Sequence, residues 1–240
     1  VMTTLTISSL QVSYGAFTLG PIDVTIGPGV TAVLGPNGSG KTTLLRAVNG
    51  LIPQATGSAT ADGVDLMHRQ SRHMRDWIYV PDSDEMLLDE FTIDEFWSFY
   101  ADVRAATFGD DPDELLTRAF ALADRLALDP GRRRLREFSL GMRRKAQLIT
   151  GVMSQPRLLM VDEPQNGLDF ISSHEVRVII AELREAGATI VMSNHDLDSV
   201  ARMADHVIVV RDGKLVGRSE TPFSDGAECE RFVTGLFCDA

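Results

Sequence analysis

Two stretches of this 240-residue chain carry the groups that phosphoryl chemistry needs. Gly35-Pro36-Asn37-Gly38-Ser39-Gly40-Lys41-Thr42-Thr43 fits the spacing GxxxxGK[ST]. Glycines let the backbone curl until several N–H groups point at one anion. A helix starting there adds the positive end of its dipole to the same spot. Lys41 supplies a mobile ammonium for β- and γ-phosphates, and the Thr42 hydroxyl is a ligand for Mg²⁺. Asn37, Gly38, Ser39, Gly40 and Thr43 complete the cradle. The apolar Val30 to Leu34 before the loop, and a helical pattern after it, separate this motif from a chance glycine-rich turn. Nucleotide binding is the expectation.

The second stretch is Asp162-Glu163-Pro164, directly after the apolar Leu158-Leu159-Met160-Val161. Sites in parallel sheets sit at the C-terminal ends of strands, where this pair falls. Asp162 is expected to hold Mg²⁺, directly or through water. Glu163, pointing the other way by strand alternation, is placed to polarise an attacking water. A third group, His195, follows another apolar segment, Thr189 to Met192, in Ser193-Asn194-His195-Asp196. A histidine at a strand end is more often structural than catalytic. Its place after both phosphate motifs favours a role in binding the γ-phosphate and orienting the water.

The elements that must position these groups alternate between strand and helix patterns. Thr3 to Tyr14 alternates loosely and reads as edge β, and Val24 to Ile26 and Val30 to Leu34 follow as strands. A helix is expected from Gly40-Lys41 to Asn49-Gly50. Asp62-Gly63 and Asp212-Gly213 look like hairpin turns. From about Thr92 to Leu128 the pattern is helical, broken at Gly109-Asp110-Asp111-Pro112, and a third helix runs from near Leu140 to before Pro156. The alternation then resumes with Leu158 to Val161, a helix over 172–186, Thr189 to Met192 and a helix over 196–203. The expected fold is α/β, a parallel-sheet core in 1–82 and 154–240 interrupted by a helical insertion over 83–153.

Composition narrows the classes. At 44% hydrophobic and 24% charged residues, the chain is neither disordered nor collagen-like. Against 34 acidic residues stand 23 Lys and Arg, a net charge of −11, which argues against nucleic acid as a partner. Its apolar runs are far short of the about 20 residues a spanning helix needs. Cys229 and Cys238 lie in no metal or redox spacing and read as buried apolar residues in a reducing compartment. Val1, before Met2, carries no structural weight.

Phe138-Ser139-Leu140-Gly141-Met142, ahead of the acidic pair at a helix start, is similar to the LSGGQ signature of ATP-binding-cassette (ABC) transporters, in its SLGM form. With it, nearly the whole chain resembles the nucleotide-binding subunit of that family, and the SLGM form resembles its ABC-2-type exporter branch. The resemblance implies a P-loop NTPase core with an N-terminal antiparallel β subdomain and an inserted α-helical subdomain. It implies a Mg²⁺-dependent ATPase, ATP and Mg²⁺ as cofactors, a transmembrane permease subunit as partner, and a place on the inner face of the cell membrane. It also implies a head-to-tail dimer with a second nucleotide-binding subunit, identical or closely related. In that dimer Ser139, Leu140, Gly141 and Met142 meet the γ-phosphate of ATP held by the partner. Tyr14 resembles the aromatic that stacks on adenine, and Asn166-Gly167-Leu168-Asp169 resembles the D-loop. Asp82, in Tyr79-Val80-Pro81-Asp82, stands where the family usually has glutamine; an aspartate there can still coordinate a hard cation. The tail from Pro222 is too short for the regulatory domain of some cassette importers.

Two features admit more than one explanation. Arg132, Arg133, Arg134, Arg136, Arg143, Arg144 and Lys145 suit a phosphate-steering patch or, preferably, a solvated helix face. Phe91, Phe96, Trp97, Phe99 and Tyr100 suit a groove for a partner's cytoplasmic helix or the core of the insertion. A soluble cassette ATPase serving assembly is the alternative function, and a catalytically silent subunit is disfavoured by the presence of Lys41, Asp162, Glu163 and His195.

Overall fold

The structure, a computed structural model, describes residues 2–68, 75–83, 86–129, 131–220 and 223–238. Val1 and Pro222 lie outside the described residues. One sheet is antiparallel, in the order β2-β1-β4-β5, from β1 (Leu5–Tyr14), β2 (Phe17–Ile26), β4 (Thr56–Ala61) and β5 (Val64–Asp65). The other runs β10-β9-β3-β8-β7-β6, from β3 (Gly29–Leu34), β6 (Trp77–Val80), β7 (Leu158–Asp162), β8 (Thr189–Ser193), β9 (His206–Arg211) and β10 (Lys214–Ser219). Its strands pair in parallel from β6 to β9, and β10 closes the edge antiparallel to β9.

Both β7 and β8 are buried at every residue, as strands covered on two faces must be. Strand alternation divides them. Leu158 and Met160 pack toward α1 (Lys41–Val48), which lies between the two sheets, with Leu44, Leu45 and Val48. Leu159 and Val161 pack the other way, toward the helices. Asp162 continues the parity of Leu158 and Met160 and so belongs to the α1 side.

Between β6 and β7 stand α2 (Ile93–Phe108), α3 (Pro112–Arg125), a single 3-10 turn over Leu135–Glu137, and α4 (Leu140–Val152). Their starts follow capping chemistry. Thr92 and Glu95 form a reciprocal capping box on α2, and Asp111 caps α3 ahead of Pro112. Trp97 is fully buried, donates its indole N–H to Thr150 Oγ1 at 3.0 Å and meets the Phe120 ring edge-on. Phe96 is also core, whereas Phe99 is 49% exposed and stacks edge-on with Phe91. Phe96 and Trp97 are thus the core of the insertion, while Phe99 stays at the surface against Phe91. After β7 come α5 (Phe170–Glu185), α6 (Leu197–Met203) and α7 (Gly226–Cys238).

Three expectations need correction. β1 is no edge strand: it lies between β2 and β4, and a bulge between Ile7 and Leu10, with Ser9 at φ 49°, produces its loose alternation. Alternation reports which face is buried, not whether a strand has two neighbours. β2 begins at Phe17 rather than Val24; Gly20-Pro21, which argues against a strand interior, sits inside it at a register irregularity and masks its first half in the sequence. β4, β6 and α7 had no counterpart in the sequence reading. In β4, TGSATA offers little apolar signal, but α7 carries Cys229, Phe232, Val233, Leu236 and Phe237 at helical spacing and could have been found. Buried Cys229 fits the apolar expectation, and burial pushes its thiol up to about 11.

Trp97 joins helices of the insertion that share no hydrogen-bond ladder with the sheets. Trp97→Ala is expected to lower the unfolding free energy by about 3–5 kcal/mol, measured by urea denaturation.

Candidate active site

The phosphate loop runs from the end of β3 into α1. Gly35, Gly38 and Gly40 have φ of 149°, 79° and 110°, and a Cβ on Gly35 would lie 2.0 Å from the Val210 carbonyl oxygen. Only glycine fits there. Gly40 caps α1 with no side-chain acceptor, so the first N–H groups of that helix have no side-chain cap to bind them. Lys41 is buried, and its ammonium donates to the carbonyl oxygens of Gly35 at 2.8 Å and Pro36 at 3.2 Å. The cleft in front, about 380 Å³, is lined by Phe17, Asn37, Gly38, Gly40 to Thr43, Asp82 and Glu163. The two sequence motifs thus meet at one cleft.

Tyr14 is 44% exposed and is not among the lining residues; its register partner across the β1–β2 turn, Phe17, is. The signal for Phe17 was present in sequence, an aromatic just past the turn that follows Tyr14.

At the end of β7, Asp162 is 1% exposed. Its Oδ1 accepts a hydrogen bond from the Ser193 hydroxyl, which itself accepts from the Glu163 N–H at 2.9 Å. Oδ2 is buried with no protein partner. A buried carboxylate oxygen left unpaired is costly, and a cation beside it removes the cost. Mg²⁺ keeps several waters and takes one or two carboxylates together with phosphate oxygens, so Thr42, Asp162 and Asp82 fit its chemistry. Asp82 also accepts from Asn166 Nδ2 at 3.0 Å, tying the loop after β6 to the D-loop segment.

Glu163 departs from strand geometry, with φ at 50°. For a residue with a Cβ this left-handed conformation costs on the order of 1–3 kcal/mol and must be held by its surroundings. The turn carries its half-buried carboxylate to His195, where Oε2 lies 2.7 Å from Nδ1. His195 is exposed at the mouth of β8.

The basic cluster is neither a steering patch nor a solvated face throughout. Arg144 is 3% exposed and Lys145 8%, both on the buried side of α4. Lys145 lies 3.5 Å from Asp169. Arg134 and Arg136 pair with Glu90, and Arg143 with Asp89. The periodicity of α4 hid this, because the cluster spans a turn and a helix start whose faces differ. Burial lowers the Arg144 pKa, opposed by Asp82, Asp162 and Glu163.

Ser139 caps α4, its hydroxyl accepting from the Met142 N–H at 3.3 Å. Leu140 is 69% exposed. A Cβ on Gly141 would lie 2.9 Å from the Gly167 carbonyl oxygen, and one on Gly167 would lie 3.2 Å from the Leu140 side chain. The signature and D-loop segments therefore touch within one chain, and Ser139 to Met142 do not line the phosphate-loop cleft. Asp169 caps α5 through the Ser172 N–H at 2.8 Å and the Ser172 hydroxyl, and these bonds hold its carboxyl at about 2.

Ser193, which the sequence reading passed over, satisfies two buried groups at once. Ser193→Ala is expected to cost about 1–3 kcal/mol of stability, read from thermal or urea unfolding, because Asp162 Oδ1 and the Glu163 N–H both lose their partner.

The family model described as "ABC transporter" matches residues 19–166. The lantibiotic transport ATP-binding protein SrtF of Streptococcus pyogenes is 31% identical over 229 residues, covering 93% of this chain and 94% of that protein. Among solved structures, the ATP-binding subunit of an ABC transporter superposes with a TM-score of 0.80 at 23% identity, covering 98% of each chain. A dimeric bacterial ABC transporter cassette does so with a TM-score of 0.77 at 19% identity, covering 90% of this chain and 97% of that one. The two-sheet α/β architecture is that of these cassettes, and the phosphate loop falls inside the matched segment: the chain belongs to the ABC transporter family.

Proposed function

We propose that this chain is the Mg²⁺-dependent ATPase subunit that powers a membrane transporter of the export type, acting from the cytoplasmic face on a transmembrane permease. The observation that carries the catalytic part is Glu163, which lines the same cleft as Lys41 and Thr42 and holds His195 at 2.7 Å. The export direction is supported by the SLGM form of the signature, and the transport role by the word transport in the name of SrtF. Among the described residues no helix is long and apolar enough to cross a membrane.

Lys41 exchanges its two loop carbonyls for phosphate oxygens, while the glycine-shaped N–H groups and the start of α1 surround the rest of the anion. Thr42 and Asp162, with Asp82 beside them, would hold Mg²⁺, which when bound offsets charge on the phosphates. Glu163 accepts the proton of the attacking water at its carboxylate, and His195, bonded to Oε2, fixes the direction of that carboxylate. Ser139 and Gly141 stand away from their own chain's cleft. They complete the site only from a second subunit, where the start of α4 would face the γ-phosphate.

Glu163→Gln is expected to bind ATP and dimerise while losing nearly all turnover; phosphate release near the native rate would remove Glu163 from the role of base. Lys41→Ala is expected to weaken nucleotide binding itself, by calorimetry or fluorescence titration, and an unchanged affinity would count against the phosphate cradle. Tagged Glu163→Gln, with ATP and Mg²⁺ in detergent-solubilised host membranes, should retain a multi-span membrane protein that Lys41→Ala does not. Recovery of soluble partners alone, from extracts with intact membrane complexes, would favour an assembly role.

A further inference from the structure

Arg144 is the most enclosed cation of the site, and its short hydrogen bonds go to backbone carbonyls, with a longer one of 3.4 Å to Gln147 Oε1. One guanidinium nitrogen donates to the Pro81 carbonyl at 2.6 Å, at the end of β6. The other donates to two successive carbonyls of the catalytic strand, Asp162 at 2.5 Å and Glu163 at 3.0 Å. Successive carbonyls of an extended strand point to opposite sides, so one donor cannot serve both. The left-handed φ of Glu163 is what turns the two oxygens toward the same nitrogen. The adjacent Gln147 repeats the pattern, donating to the Ser83 carbonyl at 2.5 Å.

We infer that Arg144 is a positioning residue for Glu163: it clamps the carbonyls on both sides of the strained turn and ties them to α4 and to the loop after β6, so that the carboxylate faces the cleft and His195. A planar guanidinium can hold two strand ends at once, which a lysine ammonium, with its single nitrogen, cannot reproduce. The three nearby carboxylates, Asp82, Asp162 and Glu163, favour a cation here but do not explain why its hydrogen bonds go to the main chain. This inference rests on Glu163 being the base.

The test uses the full chain as Arg144→Gln, Arg144→Lys, Glu163→Gln and the double variant Arg144→Gln/Glu163→Gln. For Arg144→Gln the expected result is a fall in kcat of about 100-fold, the scale of a misplaced catalytic group. The KM for ATP and the ATP affinity without turnover should stay within about twofold of native, since Arg144 touches neither the phosphate loop nor Lys41. Arg144→Lys should recover part of the rate, and the double variant should be no slower than Glu163→Gln alone, because both changes act through one carboxylate. Native kcat in Arg144→Gln, with Glu163→Gln inactive, would overturn the positioning role and leave the base intact. Turnover by Glu163→Gln would instead remove the base itself. Loss of ATP affinity in step with kcat would show Arg144 to be a general support of the fold and would also overturn the inference. Should Arg144→Gln fail to fold, Arg144→Lys decides on the same two readouts, native kcat again being the overturning result.

Discussion

A carboxylate carried into the interior sets the terms for everything around it. Asp162 sits at the end of a strand with no exposed residue, on the side facing α1, with one oxygen bonded to a hydroxyl and the other buried without a protein partner. That arrangement demands a fixed β7, hence full coverage of the sheet: α1 and the antiparallel sheet on one face, the helices of the insertion and α5 on the other. It demands Ser193 in register on β8, which the parallel pairing of Asp162 with Ser193 delivers. The next residue, Glu163, leaves strand geometry in a left-handed turn that brings its carboxylate to His195 and into the cleft it shares with Lys41. The chemistry of the pair follows from strand alternation with one backbone exception.

Much of this was legible before any coordinates. The phosphate loop, the acidic pair and His195 were readable because each is a short run of unusual residues beside an apolar strand, and such strands are the strongest signal a parallel sheet leaves in sequence. Both aspartate–glycine turns and the break at Pro112 were readable because turn chemistry is local. What escaped depended on neighbours far along the chain. The place of β1 in its sheet is set by β4, and the role of Ser193 by a strand 31 residues away. Arg144 lay inside a cluster of like charge, and only the packing of α4 against β6 and β7 distinguishes it from Arg143 beside it.

Charge placement in this acidic protein is correspondingly local. Arg134 and Arg136, ahead of α4, pair with Glu90 at the surface, where such pairs add little stability, and Arg143 pairs with Asp89. Arg144 and Lys145 turn inward and spend their hydrogen-bonding capacity on main chain and on Asp169. A net charge of −11 thus coexists with a cation at the centre of the site, because steering at long range and holding at short range are separate functions of charge.

Gly141 and Gly167 approach so closely that a methyl group on the first would press on the backbone of the second, and one on the second would press on the Leu140 side chain. The two positions therefore constitute a single steric constraint shared by segments 26 residues apart. A side chain at Gly141 has to be absorbed by a shift of the Gly167 backbone, whereas one at Gly167, already in a left-handed conformation, asks a few tenths of an ångström of the Leu140 side chain. That ties the tolerance of the signature turn to that of the loop it packs against.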